Sequence, residues 1–182
     1  LGADGTSGSS NRSSTFTMKD NSVLRTGTWH KFRIDTTGIF KIDKELLEEI
    51  GVNTTGLDPR NLRIYGNGGA MLPQRNDAFR YDDLEENALF IEGEEDGVFD
   101  DSDYILFYGQ GPESWIVDTS DFFETRHRTN LYSDHAYYFV TVDQGPGRRV
   151  ETRAPVEESA AVVLDTYHDF ALHEIEEINL FS

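Results

Sequence analysis

The tightest constraint on what this chain can fold into lies in residues 87–109. Two apolar, β-prone runs, Ala-Leu-Phe-Ile at 88–91 and Tyr-Ile-Leu-Phe-Tyr at 104–108, flank a turn crowded with carboxylates around Gly97. Runs of this kind bounded by turn residues form hairpins, so the segment predicts a central pair of antiparallel strands on which the others build. The acidic turn between them is the main chemical question.

The 182 residues suffice for one all-β domain with a real core. With 37% hydrophobic, 12% aromatic and 27% charged content, the composition is that of a folded domain with a heavily charged surface. The net charge of -18, from 34 acidic and 16 basic residues, repels phosphate backbones and anionic membrane surfaces and so speaks against nucleic-acid binding. Such a surface serves solubility or divalent-cation binding and selects no ligand by itself. The absence of cysteine removes disulfides, thiolate metal ligands and any cysteine nucleophile from these residues. No run approaches the ~18 apolar residues of a membrane span, and the N-terminus lacks the basic and apolar parts of a signal peptide, so no membrane insertion is expected.

Residues 1–21 are rich in Gly, Ser, Thr and Asn and predict a flexible arm or linker, with the fold proper spanning 22–182. Residues 29–34 and 39–42 alternate apolar and polar side chains around Asp35-Thr36-Thr37-Gly38, the pattern of a β-hairpin. Asp43 is placed to cap a short helix near residues 44–50, with Leu46, Leu47 and Ile50 on one face and Gly51 at its C-terminal end. A strand over 61–65 stops at Gly66-Asn67-Gly68-Gly69, and residues 71–74 read as an extended edge piece because Pro73 cannot donate to a central ladder. Residues 110–130 predict a long loop anchored by Trp115 and Phe122-Phe123. A strand over 136–142 and a return strand over 148–152 predict a further hairpin. Residues 160–164 look like a strand, while 167–181 fit either a strand or an amphipathic helix. The resulting fold class is mainly β: an antiparallel, jelly-roll-like sandwich with one short α-helix.

Set at the glycine of a twelve-residue calcium loop, Gly97 places Glu92, Glu94, Asp96, Asp100 and Asp103 at the side-chain ligand positions, with Val98 supplying a carbonyl. Hard oxygen donors favour calcium or magnesium over zinc. Against this, Asp103 is shorter than the usual bidentate glutamate and the flanks are strands, so a solvated hairpin tip without metal stands beside it. Gly66-Asn67-Gly68-Gly69 after a strand invites a phosphate-cradling turn, but Met71 and Pro73 break the pattern and favour a tight turn. His30, His127, His135, His168 and His173 show no paired metal spacing, and no serine sits in a nucleophile elbow. The exposed use of aromatics such as Trp115 and Tyr108 as a stacking surface for sugars competes with plain core packing.

Long motifs carry a more specific signal. Gly27-x-Trp29-x-Lys31-Phe32, then Thr37-Gly38-Ile39-Phe40-Lys41-Ile42, and Leu57-Asp58-Pro59-Arg60-Asn61-Leu62-Arg63-Ile64-Tyr65-Gly66-Asn67-Gly68-Gly69 are followed by Glu92-Gly93-Glu94-Glu95-Asp96-Gly97 and Asp103-Tyr104-Ile105-Leu106-Phe107-Tyr108-Gly109. Together with Tyr137-Tyr138-Phe139 and His173-Glu174, they resemble the N-terminal region of the PorU-type sortase family of the type IX secretion system, gingipain-type cysteine peptidases of Bacteroidetes-type bacteria. The resemblance implies a cell-surface parent, on the outer side of the outer membrane, that removes C-terminal sorting domains from secreted cargo and attaches the cargo to lipopolysaccharide through a thiolate paired with a histidine. It also implies partners: a downstream peptidase domain of the same chain, the outer-membrane β-barrel protein PorV and other secretion components, and the cargo. No catalytic residue of that family transfers onto any position here, because cysteine is absent. The expectation is therefore a non-catalytic accessory domain that packs, docks or positions. The competing expectation is a carbohydrate-binding or adhesion module.

Overall fold

The computed structural model describes residues 18–118, 124–155 and 162–166. Its architecture is mainly β, with three antiparallel sheets and, among the described residues, one short α-helix plus 3-10 turns. Strand β1 (His30–Ile34) leads to β2 (Gly38–Asp43) and helix α1 (Lys44–Glu49). Then come β3 (Arg63–Tyr65), β4 (Glu86–Asn87), β5 (Leu89–Glu92), β6 (Tyr104–Gly109), β7 (Glu113–Asp118), β8 (Glu124–Thr129) and β9 (Ala136–Thr141). One sheet has the order β1-β9-β3-β4, a second β2-β6-β5, and β7-β8 stands as a separate ribbon.

The two larger sheets face each other as a sandwich. From the first come Phe32, Ile34, Ile64, Tyr138 and Val140; from the second come Phe40, Ile42, Leu89, Ile91, Ile105 and Phe107. Phe107 sits edge-on to both Phe32 and Tyr138, with ring centroids 5.7 and 5.3 Å apart, so aromatic packing joins the layers. The chain passes between the two sheets at β1 to β2, from β2 through α1 to β3, at Ala88 between β4 and β5, and between β6 and β9, which gives the jelly-roll-like character. Gly66 lies against the Tyr138 ring, where any Cβ would collide with it.

The central hairpin forms as expected. Strands β5 and β6 pair antiparallel from Leu89↔Phe107 to Glu92↔Tyr104, and β6 is the middle strand of its sheet. The helix also forms, capped by the Asp43 carboxylate on the Leu46 amide at 3.0 Å, with Leu47 buried and Gly51 at φ 93° beyond its end.

Other connections differ from expectation. β1 and β2 are not hairpin partners: β1 pairs with β9 and β2 with β6. The turn residues between them are tied sideways instead. Thr37 Oγ1 accepts the Gly111 amide at 2.9 Å, and Asp35 meets His135 Nδ1 at 2.5 Å, so the chain makes a corner from one sheet to the other. Residues 110–130 are no loop, since β7 and β8 form a ribbon in register from Glu113↔Thr129 to Asp118↔Glu124. The proposed anchors Phe122 and Phe123 lie outside the described residues. The strand expected over 61–65 shortens to β3 because Asp58 caps a 3-10 turn, Pro59–Asn61, ahead of it. Residues 71–74 form no strand. Residues 148–152 do not return along β9; Arg149 bridges Leu89 in parallel, laying this stretch beside β5. Within 160–164, the described residues 162–164 are exposed and take part in no strand. The ambiguous stretch 167–181 lies outside the described residues.

Candidate functional site

The acidic turn folds back onto the body of the domain. Phe99 enters the core at 2% exposure, and its amide donates to the Leu57 carbonyl at 2.9 Å. A 3-10 turn, Glu94–Asp96, lies between Gly93 at φ 89° and Gly97 at φ 79°, left-handed positions that glycine takes without strain.

Four of the turn carboxylates, Glu94, Asp96, Asp100 and Asp103, take separate local partners. Glu94 Oε2 accepts from Arg149 Nε at 2.7 Å. Asp96 Oδ1 accepts the Val98 amide at 2.9 Å. Asp100 Oδ1 accepts the hydroxyl and the amide of Ser102, which hold its carboxyl below the ordinary carboxylate value. Asp103, only 6% exposed, accepts the Asp100 amide at 2.9 Å and is packed against Gly93, where a Cβ would strike its carboxylate. Glu92 points outward from β5.

These residues do not converge as a calcium shell. Among the described residues no group of three or more His, Asp or Glu side chains is placed to hold a metal ion. One of the turn carboxylates is paired with an arginine instead. Arg149 reaches Glu94 and also donates to the carbonyls of Pro59, Arg60, Leu62 and Arg148. Arg60 pairs with Asp58, which lowers the Asp58 pKa, and lies close to Gly97.

The histidines offer no catalytic geometry within the described residues. His135 Nδ1 is oriented by Asp35, but its Nε2 lies 3.3 Å from the Arg33 guanidinium, not beside a nucleophile. His30 Nδ1 lies 3.3 Å from the Ile50 carbonyl at the helix end. His127 lies beside Glu113 at 3.4 Å. His168 and His173 are outside the described residues.

The unsatisfied surface lies elsewhere, on the outer face of the β2-β6-β5 sheet. Ile39, Phe90, Leu106, Tyr108 and Val150 line an open apolar groove of about 460 Å³. Ile39 is 74% exposed, Val150 56%, Tyr108 55% and Phe90 44%. Ile39 lies opposite Tyr108 across β2 and β6, and Phe90 opposite Leu106 across β5 and β6, so the apolar residues form one cross-strand patch. Its fourth wall, Val150, is held by backbone bonds from Leu89 N to Arg148 O and from Val150 N to Leu89 O. Toward the acidic turn the same face becomes charged, with Lys41 Nζ 4.5 Å from the Tyr104 ring centre and Glu92 exposed.

Of the two aromatic residues expected to make a surface, Tyr108 is in this groove. Trp115 is not; it is 43% exposed on β7 and stacks edge-on to His127 with centroids 4.9 Å apart. Sequence reasoning missed Ile39, Phe90, Leu106 and Val150. A signal for most of them existed: β5 and β6 are apolar on both faces, where a strand with one wet face should alternate with polar residues.

Neither a protein-family model nor a curated protein matches the chain. Among the described residues no helix is long and apolar enough to cross a membrane. Among solved structures, the crystal structure of dimeric latent PorU from Porphyromonas gingivalis is similar, with a TM-score of 0.60 and 25% sequence identity. The similarity covers 80% of this chain and 12% of that one, so the chain is like one PorU portion of about its own size.

Proposed function

We propose that the chain serves as a non-catalytic accessory domain of a PorU-type sortase of the type IX secretion system, at the cell surface. The observation that carries this is the likeness to one portion of PorU over four-fifths of the chain. The absence of cysteine supports a role apart from thiolate chemistry. The proposed parent would be the cysteine peptidase that trims sorting domains from cargo and links cargo to lipopolysaccharide, with PorV as a partner of the whole.

The groove on the β2-β6-β5 face is the docking surface for the rest of that parent chain. An apolar patch of this kind on a domain with a net charge of -18 marks a surface meant to be covered. The proposed occupant is the peptidase portion of that parent, which would cover the exposed apolar side chains of Ile39, Phe90, Tyr108 and Val150. The test is co-purification of the tagged chain with the separately expressed peptidase portion of the parent. Capture that Phe90→Asp abolishes supports the reading; no capture, or capture indifferent to that substitution, overturns it.

A further inference from the structure

A second, smaller cleft opens at the end of the sandwich, where the β3–β4 connection meets the end of β6. It encloses about 180 Å³, well under the roughly 300 Å³ that drug-sized ligands occupy, which suits a single small ring. Two exposed tyrosines, Tyr81 and Tyr108, line it together with Glu85, Asn87 and Gln110. We infer that this cleft is a binding subsite for a neutral sugar.

The inventory of polar groups supports that chemistry. Tyr138 forms the floor and is consumed there, its hydroxyl accepting the Gln110 amide at 2.7 Å and donating to the Gln110 carbonyl at 3.2 Å. Asn67 is likewise consumed, donating to Asp83 O and accepting from Glu85 N. Asn87 spends its amide N–H on Gly66 O, which leaves its carbonyl oxygen as an acceptor on the cleft. The Gln110 side-chain amide and the two tyrosine hydroxyls add donors and acceptors, and Glu85 adds a carboxylate 3.7 Å from Lys19.

A sugar hydroxyl donates and accepts at once, and a pyranose ring has an apolar C–H face that rests on aromatic rings. Mixed donors and acceptors beside two tyrosine rings meet both needs. Among the described residues no cationic side chain lines the cleft, so an anion gains no counter-charge from them. An organic cation on the tyrosines is the chemical competitor.

Saturation-transfer difference NMR on the whole chain tests this. The probes are glucose, galactose, mannose, fucose and N-acetylglucosamine, each at millimolar concentration, with choline as the cation probe. The expected result is transfer to at least one sugar, weakened about tenfold in Tyr81→Ala and in Gln110→Ala and unchanged in Trp115→Ala. Dispersed amide spectra confirm that each variant is folded. Transfer to none of the sugars, transfer to choline alone, or transfer lost only in Trp115→Ala would each overturn the proposal.

Discussion

The acidic turn and the outer face of the β2-β6-β5 sheet are joined by the same two strands, yet they use their side chains in opposite ways. The turn concentrates charge, but four of its groups are answered within the domain: Glu94 by Arg149, Asp96 by the Val98 amide, Asp100 by Ser102 and Asp103 by the Asp100 amide. The sheet face carries little charge at its groove end, and among the described residues its Ile39, Phe90 and Tyr108 stay exposed. A crowded set of ionisable groups here is tied largely to local partners, while the exposed apolar patch is the surface we propose for docking.

The largest expected effect falls on the turn. Arg149 makes five hydrogen bonds, one to a carboxylate and four to backbone carbonyls, from a largely enclosed position. Arg149→Ala should cost about 3 kcal/mol in urea unfolding, since it leaves Glu94 without its cation and removes side-chain donors from the Pro59, Arg60 and Leu62 carbonyls. A loss within about 0.5 kcal/mol would mean the turn is not clamped as described. Asp103→Ala, which leaves the Asp100 amide unpaired beneath Gly93, should cost about 2 kcal/mol in the same assay.

Acid should act on the turn in a definite direction. Asp100 has a folded pKa below its ordinary value of 3.8, chiefly through the Ser102 hydroxyl, so its contribution is complete above that value and is lost as pH falls through the folded pKa. The melting-temperature gap between the native chain and Asp100→Asn should hold steady from pH 7 down to about 5 and close below about 4. A gap that persists unchanged under acid would remove Asp100 from the set of locally satisfied carboxylates.

Calcium should do less still. Because the turn carboxylates point to separate partners, millimolar calcium should leave the melting temperature unmoved; a saturable rise would show that the loop rearranges into a metal site. The smallest stability effect belongs to the groove. Phe90→Ser should change unfolding free energy by about 0.5 kcal/mol or less, because the side chain is already wet on its outer side.

Much of the fold was legible in the sequence. The β5–β6 hairpin and the Asp43-capped helix follow from local pattern and capping alone, because their partners lie close in the chain. The β1–β2 corner was not legible. Asp35-Thr36-Thr37-Gly38 signals a turn, but whether the arms pair with each other or with β9 and β6 is decided by residues about 60 to 110 positions away. The β7–β8 ribbon escaped because it stands apart from the core and lacks an apolar face to give it a period. At the candidate site, the acidic spacing around Gly97 matched a calcium loop in sequence, but distant Arg149 takes Glu94, and local amides and Ser102 take Asp96, Asp100 and Asp103. The groove was half visible in the two-faced apolar pattern of β5 and β6; Val150 was not, since its place depends on a parallel bridge to Leu89.

The most direct measurement is the affinity of the chain for the peptidase portion of its proposed parent, compared between Phe90→Asp on the groove and Glu95→Lys on the exposed tip of the acidic turn. Binding weakened about tenfold or more by Phe90→Asp and within about twofold of native for Glu95→Lys is the predicted result. Binding that survives Phe90→Asp and fails with Glu95→Lys would place the interface on the turn and contradict the central claim.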